Sequence, residues 1–204
     1  GALVQENELI VCACGGRDFV FLPELYAAET YIAGRMALIL SSYPDLGQSY
    51  DRQIDALQEQ LGITYESRQR RAITMALNNG VFILTGGPGT GKTTIINAII
   101  ELFEQRGEKV MLAAPTGRAA KRMSELTGRQ SKTIHRLLEV DFRDGAGTVF
   151  KRDERNTLPA DVIVVDEMSM VDTLLFQSLL RAMKLGCRLV MVGDIDQLPS
   201  AGPG

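Results

Sequence analysis

Nine residues, Gly86-Gly87-Pro88-Gly89-Thr90-Gly91-Lys92-Thr93-Thr94, carry the densest chemistry in this 204-residue chain. They satisfy the pattern G-x-x-x-x-G-K-[ST], which has meaning where a strand runs into the loop and a helix leaves it. Glycines let consecutive backbone N–H groups converge on a phosphate, and the following helix adds the positive end of its dipole. Lys92 supplies a movable charge for the β- and γ-phosphates of a nucleotide, and the Thr93 hydroxyl suits a Mg²⁺ ion. Further on, the run Asp161-Val162-Ile163-Val164-Val165 empties into Asp166 and Glu167. Two carboxylates at the mouth of a buried strand are costly without a partner such as a metal ion. Asp166 suits the Mg²⁺ shell, and Glu167 suits the base that orients and deprotonates an attacking water. A third run, Gly193-Asp194-Ile195-Asp196-Gln197, ends in an amide. Gln197 can report on a γ-phosphate by hydrogen bonding, and an ordinary polar loop accounts for it equally well.

A second kind of chemistry lies between these runs. Ala114-Pro115-Thr116-Gly117-Arg118-Ala119-Ala120-Lys121-Arg122-Met123 is a small-residue loop entering a helix, with a hydroxyl and basic side chains suited to a nucleic-acid phosphate. From Pro115 to Arg136 there are six basic residues, Arg118, Lys121, Arg122, Arg129, Lys132 and Arg136, against Glu125 alone. A solvated helix face would look the same on charge alone. Within this stretch Thr133-Ile134-His135 offers a hydroxyl and the chain's single histidine, which a capped or half-buried structural role would equally explain.

Elements must position these groups. Val81–Thr85, Lys109–Ala114, Asp161–Val165 and Arg188–Val192 are short, continuous apolar runs of the kind buried on both faces of a parallel sheet. Helix-length patterns at Thr93–Arg106, Gly117–Leu126 and Val171–Leu185 separate them, so residues 65–204 read as an α/β domain with its ligands at the carboxyl ends of the strands. Residues 1–64 read differently: strands at Glu8–Cys14 and Asp18–Leu22 joined as a hairpin, a helix after Pro23 broken near Ser42-Tyr43-Pro44, and a second over Tyr50–Leu61 stopped at Gly62. This winged-helix-like element carries three arginines against nine carboxylates and suits a scaffold.

Composition sets outer limits. Apolar residues at 45% and charged residues at 23% exclude disordered and low-complexity classes. The length allows one domain with an appendage and not two nucleotide-gripping domains. A net charge of −3 excludes a uniformly basic nucleic-acid binder, yet the acidic excess sits in residues 1–64 and leaves the remainder positive. Three cysteines and one histidine suggest no zinc site, and Cys12, Cys14 and Cys187 read as reduced thiols of a cytoplasmic protein. No run is long and apolar enough for a membrane span.

The motifs in this order resemble those of the RecD/TraA family of superfamily 1 DNA helicases, over most of residues 65–204. The matching segments are Gly86–Thr94, Ala114–Met123, Thr133–Leu138, Val164–Met170 and Gly193–Ser200. The resemblance implies a RecA-like P-loop domain, with ATP and Mg²⁺ as cofactors and 5′-to-3′ translocation. It assigns Gln69, otherwise a plain helix-start residue, to adenine recognition. It places Pro115, Thr116, Arg118, Lys121, Thr133 and His135 along a single-stranded DNA path, and gives Gln197 the coupling of nucleotide state to DNA. Family members carry a second RecA-like domain that supplies arginine fingers. The chain, starting at Gly1-Ala2 without Met and stopping at Gly204, therefore reads as the N-terminal part of a helicase, binding nucleotide without unwinding. A monomer is expected, and partner helicase or nuclease subunits are open. A P-loop regulatory ATPase acting on proteins, or a non-catalytic interaction module, are the other classes; intact Lys92, Thr93, Asp166 and Glu167 argue against the second.

Overall fold

The computed structural model describes residues 9–44, 47–87, 89–142, 148–194 and 200–203. The chain begins with an antiparallel hairpin, β1 (Ile10–Cys14) and β2 (Arg17–Phe21), followed by helices α1 (Pro23–Ser42), α2 (Asp51–Leu61) and α3 (Ser67–Asn78). Pro23 opens α1, where its missing N–H costs nothing, and Gly62 closes α2. Among the described residues no helix is long and apolar enough to cross a membrane.

Beyond α3, strands and helices alternate: β3 (Val81–Thr85), α4 (Lys92–Gln105), β4 (Val110–Ala114), α5 (Gly117–Thr127), β5 (Ser131–Thr133) and α6 (Ile134–Leu137). A small antiparallel hairpin follows, β6 (Val140–Phe142) and β7 (Thr148–Phe150), then β8 (Val162–Val165), α7 (Thr173–Ala182) and β9 (Arg188–Gly193). Five strands form one parallel sheet in the order β3-β9-β8-β4-β5. The expected α/β parallel sheet is present, with one strand more than the four apolar runs. β5 is Ser-Lys-Thr, a polar triplet at the sheet edge, and its three residues pair with Leu112 to Ala114.

Alternation along the strands sends successive side chains to opposite faces. Phe82, Leu84, Val162, Val164, Val190 and Val192 join one buried cluster with Ile73 and Leu77 of α3 and Ile99 and Phe103 of α4. Ile163, Val165, Leu189 and Met191 join another with Leu175 and Leu179 of α7 and Ile39 of α1. Helices thus cover both faces, and burial of the continuous β-branched runs drives the sheet together. The helix expected over Val171–Leu185 is shorter. Asp172 caps it by accepting from the Leu175 N–H at 2.8 Å, and it stops at Ala182 because Leu158 N–H takes the Ala182 carbonyl at 2.7 Å while Leu158 and Met183 form a bridge.

The N-terminal element is bound into this core at the end of α1. The Tyr43 ring lies 4.3 Å from the buried guanidinium of Arg188 at the start of β9, and the Tyr43 hydroxyl donates to the Gly186 carbonyl. A methyl group on Gly80, just before β3, would stand 2.7 Å from the Ile39 carbonyl and 2.7 Å from the Tyr43 ring, so the chains meet there only through glycine.

Candidate nucleotide and nucleic-acid sites

Parallel register levels the carboxyl ends of all five strands: Thr85 lies opposite Gly193, Met191 opposite Val165, Val165 opposite Ala113, and Ala114 opposite Thr133. Every chemically loaded turn therefore opens on one edge of the sheet.

At the β3 end, the loop Gly86 to Gly91 leads directly into α4. Gly91 caps that helix with φ 81°, a left-handed conformation that favours glycine. The Lys92 ammonium folds back on the loop, donating to the carbonyls of Gly86 and, at 2.9 Å, Gly87, while the Thr90 hydroxyl donates to Gly87 at 2.8 Å. Pro88 lies outside the described residues. Gln69 reaches this loop from α3: a Cβ added to Gly91 would lie 2.7 Å from the Gln69 side-chain nitrogen. The same side chain closes a capping box, its oxygen accepting from the Glu66 N–H at 2.9 Å. Gln69 thus has a structural duty at the start of α3 besides its place beside the loop.

β9 lies between β3 and β8, so Asp166 and Glu167 face the loop across a strand's width. Asp166 accepts from the Glu167 N–H at 2.9 Å through one carboxylate oxygen. Glu167 has φ 52°, a left-handed backbone uncommon outside glycine, at the start of a short 3-10 turn over Met168–Met170. A cleft joins Lys92, Thr93, Asp166 and Glu167 with Arg122 and the buried carboxylate of Asp194. Thr93 and Asp166 give it hard oxygen donors of the kind Mg²⁺ takes, beside a lysine and a helix N-terminus for phosphates. Thr94 sits on the exposed side of α4, and Gln197 lies outside the described residues.

At the β4 end, a wider groove is lined by Thr116, Arg118, Lys121, Arg122, Glu125 and Glu167, among others. Thr116 is the N-cap of α5, accepting from the Ala119 N–H at 3.2 Å, and Thr133 caps α6 by accepting from the Arg136 N–H at 3.2 Å. Each hydroxyl keeps its proton free to donate. Pro115 is half-buried beside Thr116. His135 is exposed, its ring 5.9 Å from that of Phe150 on the β6–β7 hairpin, and it lines neither the cleft nor the groove. Its exposure does not fit a half-buried structural role, although it belongs to the helix that Thr133 caps.

The basic stretch divides. Arg129 is bound into the fold, its guanidinium paired with Glu101 and Glu104 of α4 at 2.5 Å each, and these carboxylates hold its pKa above the ordinary arginine value. Its charge serves the α4–α5 junction and not a ligand. Lys121 stands 3.9 Å from Glu125 in an exposed pair of little strength. Arg118, Lys132 and Arg136 are exposed without a carboxylate partner among the described residues. Sequence reasoning grouped Arg122 with the nucleic-acid stretch; its place in the cleft as well as the groove follows from the packing of α5 on the sheet, which no local pattern encodes. Asp194 stands in the sequence only as one residue of the run Gly193-Asp194-Ile195-Asp196-Gln197, and its burial depends on β9 entering the sheet centre.

A profile of the family described as an AAA domain matches residues 69–203. An ATP-dependent RecD2 DNA helicase of Deinococcus radiodurans is 37% identical over 192 residues, covering 94% of this chain and 26% of that protein. The RecBCD enzyme subunit RecD of Mycobacterium tuberculosis is 42% identical over 159 residues, 67% of this chain and 27% of its own length. A crystal structure of the Pif1 helicase from Candida albicans aligns with a TM-score of 0.51 and 29% identity over 68% of this chain and 34% of that one. The chain spans about a quarter of the length of the curated relatives it matches.

Proposed function

This chain belongs to the AAA-domain family, and on that premise we propose that it is the ATP-binding motor domain of a superfamily 1 DNA helicase of the RecD type, one that moves 5′-to-3′ on single-stranded DNA. The observation that carries the reading is the single edge on which the phosphate loop, the Asp166-Glu167 pair and the Thr116-Arg118 turn open side by side. Nucleotide chemistry and a nucleic-acid track then share strands, so a shift at one is felt at the other.

The loop N–H groups and the end of α4 would hold the β- and γ-phosphates, with Lys92 leaving its carbonyls for them and Gln69 taking the adenine. Thr93 and Asp166 would hold Mg²⁺, which when bound would supply charge neutralisation to the phosphates. Glu167 orients a water in line with the terminal phosphorus and accepts its proton. Gln197 belongs to this reading as the group that reports the γ-phosphate to the DNA side. Single-stranded DNA would lie across Pro115, Thr116, Arg118 and Lys121 towards Thr133 and His135, its phosphates taken by hydroxyls and cations. The described residues form one parallel sheet, which by itself binds nucleotide and DNA without unwinding, as a monomer and as part of a longer motor in the cytoplasm.

Titration with Mg·ATP and with oligo(dT), together with a hydrolysis assay, tests this. Expected are nucleotide binding lost in Lys92→Ala, negligible turnover, and weak DNA binding that falls steeply with salt. Rapid multiple-turnover hydrolysis abolished by Lys92→Ala would overturn the fragment's inactivity. DNA binding indifferent to Thr116→Ala and Arg118→Ala would favour a regulatory ATPase instead.

A further inference from the structure

Arg122 is the one basic residue of α5 that lines both openings on the sheet edge: the cleft with Lys92, Thr93, Asp166 and Glu167, and the groove with Thr116 and Arg118. Its neighbour Lys121 pairs with Glu125 and Arg129 pairs with Glu101 and Glu104, whereas the exposed Arg122 side chain forms no ion pair or hydrogen bond among the described residues. The cleft also holds an excess of negative charge. Asp166, Glu167 and Asp194 line it, and a bound triphosphate would add about four more charges against Lys92 and one Mg²⁺. A guanidinium is the side chain best shaped to take two phosphate oxygens at once.

We propose that Arg122 is a nucleotide ligand supplied within this domain, its guanidinium taking the terminal phosphate of a nucleoside triphosphate and not a DNA phosphate. This rests on the nucleotide-site reading above and deepens it. Because Arg122 and the cap Thr116 belong to the same helix, the contact ties the α5 N-terminus on the groove side to the presence of the third phosphate. A diphosphate leaves Arg122 with no partner, so the residue distinguishes the two nucleotide states.

The test is a set of titrations of the 204-residue protein with Mg·ATPγS, Mg·ADP and an oligo(dT) strand at several salt concentrations. Arg122→Ala is expected to weaken Mg·ATPγS about tenfold or more while changing Mg·ADP less than about twofold, and Arg122→Lys to recover part of the difference. The salt slope of oligo(dT) binding should be unchanged. Equal affinity of wild type and Arg122→Ala for Mg·ATPγS would overturn the proposal, as would an equal loss for both nucleotides. A salt slope reduced by about one phosphate contact with nucleotide binding intact would assign Arg122 to DNA. Wild-type protein that binds neither nucleotide, or that binds as well after Lys92→Ala, would instead overturn the nucleotide site itself and this inference with it.

Discussion

The two ends of the sheet edge hold their side chains in opposite ways. At the β3–β9–β8 end, Lys92 bonds to loop carbonyls, Asp166 accepts a backbone N–H, Gln69 closes a capping box and Asp194 is buried. At the β4–β5 end, Arg118, Lys132, Arg136 and His135 stand in solvent, and only the cap hydroxyls of Thr116 and Thr133 are fixed. A triphosphate has one shape, so a site built for it gains from side chains set in advance. A nucleic-acid backbone passing through many registers gains more from charge at adjustable positions. On the proposed reading, the two ends differ because their ligands do.

Substitutions can break or sharpen that contrast. The largest effect is expected from Lys92→Ala: losing a charge-assisted contact to phosphate costs about 3 kcal/mol, or roughly a hundredfold in nucleotide affinity, with DNA affinity unchanged. Calorimetric titration showing less than a threefold loss would remove the distinction. Gly91→Ala should cost about 1–2 kcal/mol for the left-handed backbone and more for the approach of its Cβ to Gln69, read as a lower melting temperature and weaker nucleotide binding together. Thr116→Ala should cost about 1 kcal/mol of stability through the lost cap and weaken DNA binding, with Thr116→Ser restoring stability. On the DNA side, Arg118→Ala should reduce the salt slope of oligo(dT) binding by about one, whereas Arg129→Ala should leave the slope unchanged and lower the melting temperature, because its charge is committed to Glu101 and Glu104.

The smallest effect belongs to the opposite edge of the sheet. At the start of β8, the Lys184 ammonium, with the Lys109 N–H, holds the Asp161 carboxyl below the usual carboxylate range. A depressed folded pKa means a contribution that is full above the unfolded value of about 3.9 and is lost as pH falls through the folded one. Asp161→Asn should therefore lower stability slightly and by a constant amount at neutrality, the difference from wild type shrinking as pH falls below about 4. Chemical denaturation showing a difference that persists undiminished below about pH 3 would mean that the carboxylate charge is not its source.

Much of this molecule is legible in the chain. The phosphate loop, the Asp166-Glu167 exit, the four apolar strands and the boundaries of α1 and α2 follow from local rules, since turn residues, caps and hydrophobic runs act within a few residues. What escaped detection is informative. β5 is three polar residues whose strand character comes from pairing with Leu112 to Ala114, and the β6–β7 hairpin is too short to stand out from a loop. Arg129 counted as a ligand-facing charge until the fold brought Glu101 and Glu104 to it, twenty-five or more residues away. Gln197 lies outside the described residues, so its part in the site is carried by the motif alone.

By itself the sequence determined which chemistry is present: glycines that free the backbone, a lysine and threonine at fixed spacing, and acids at the end of a buried run. These are short-range facts, decided by covalent connection and side-chain type. Only the tertiary structure decided where they meet. Inserting β9 between β3 and β8 sets the width of the cleft, and pairing β4 and β5 beyond β8 places the Thr116-Arg118 turn on the same edge. The packing of α5 then brings Arg122 to both the cleft and the groove, and Arg118 to the groove. Strand order and helix orientation minimise exposed apolar surface over the whole chain, and that global condition has no local signature.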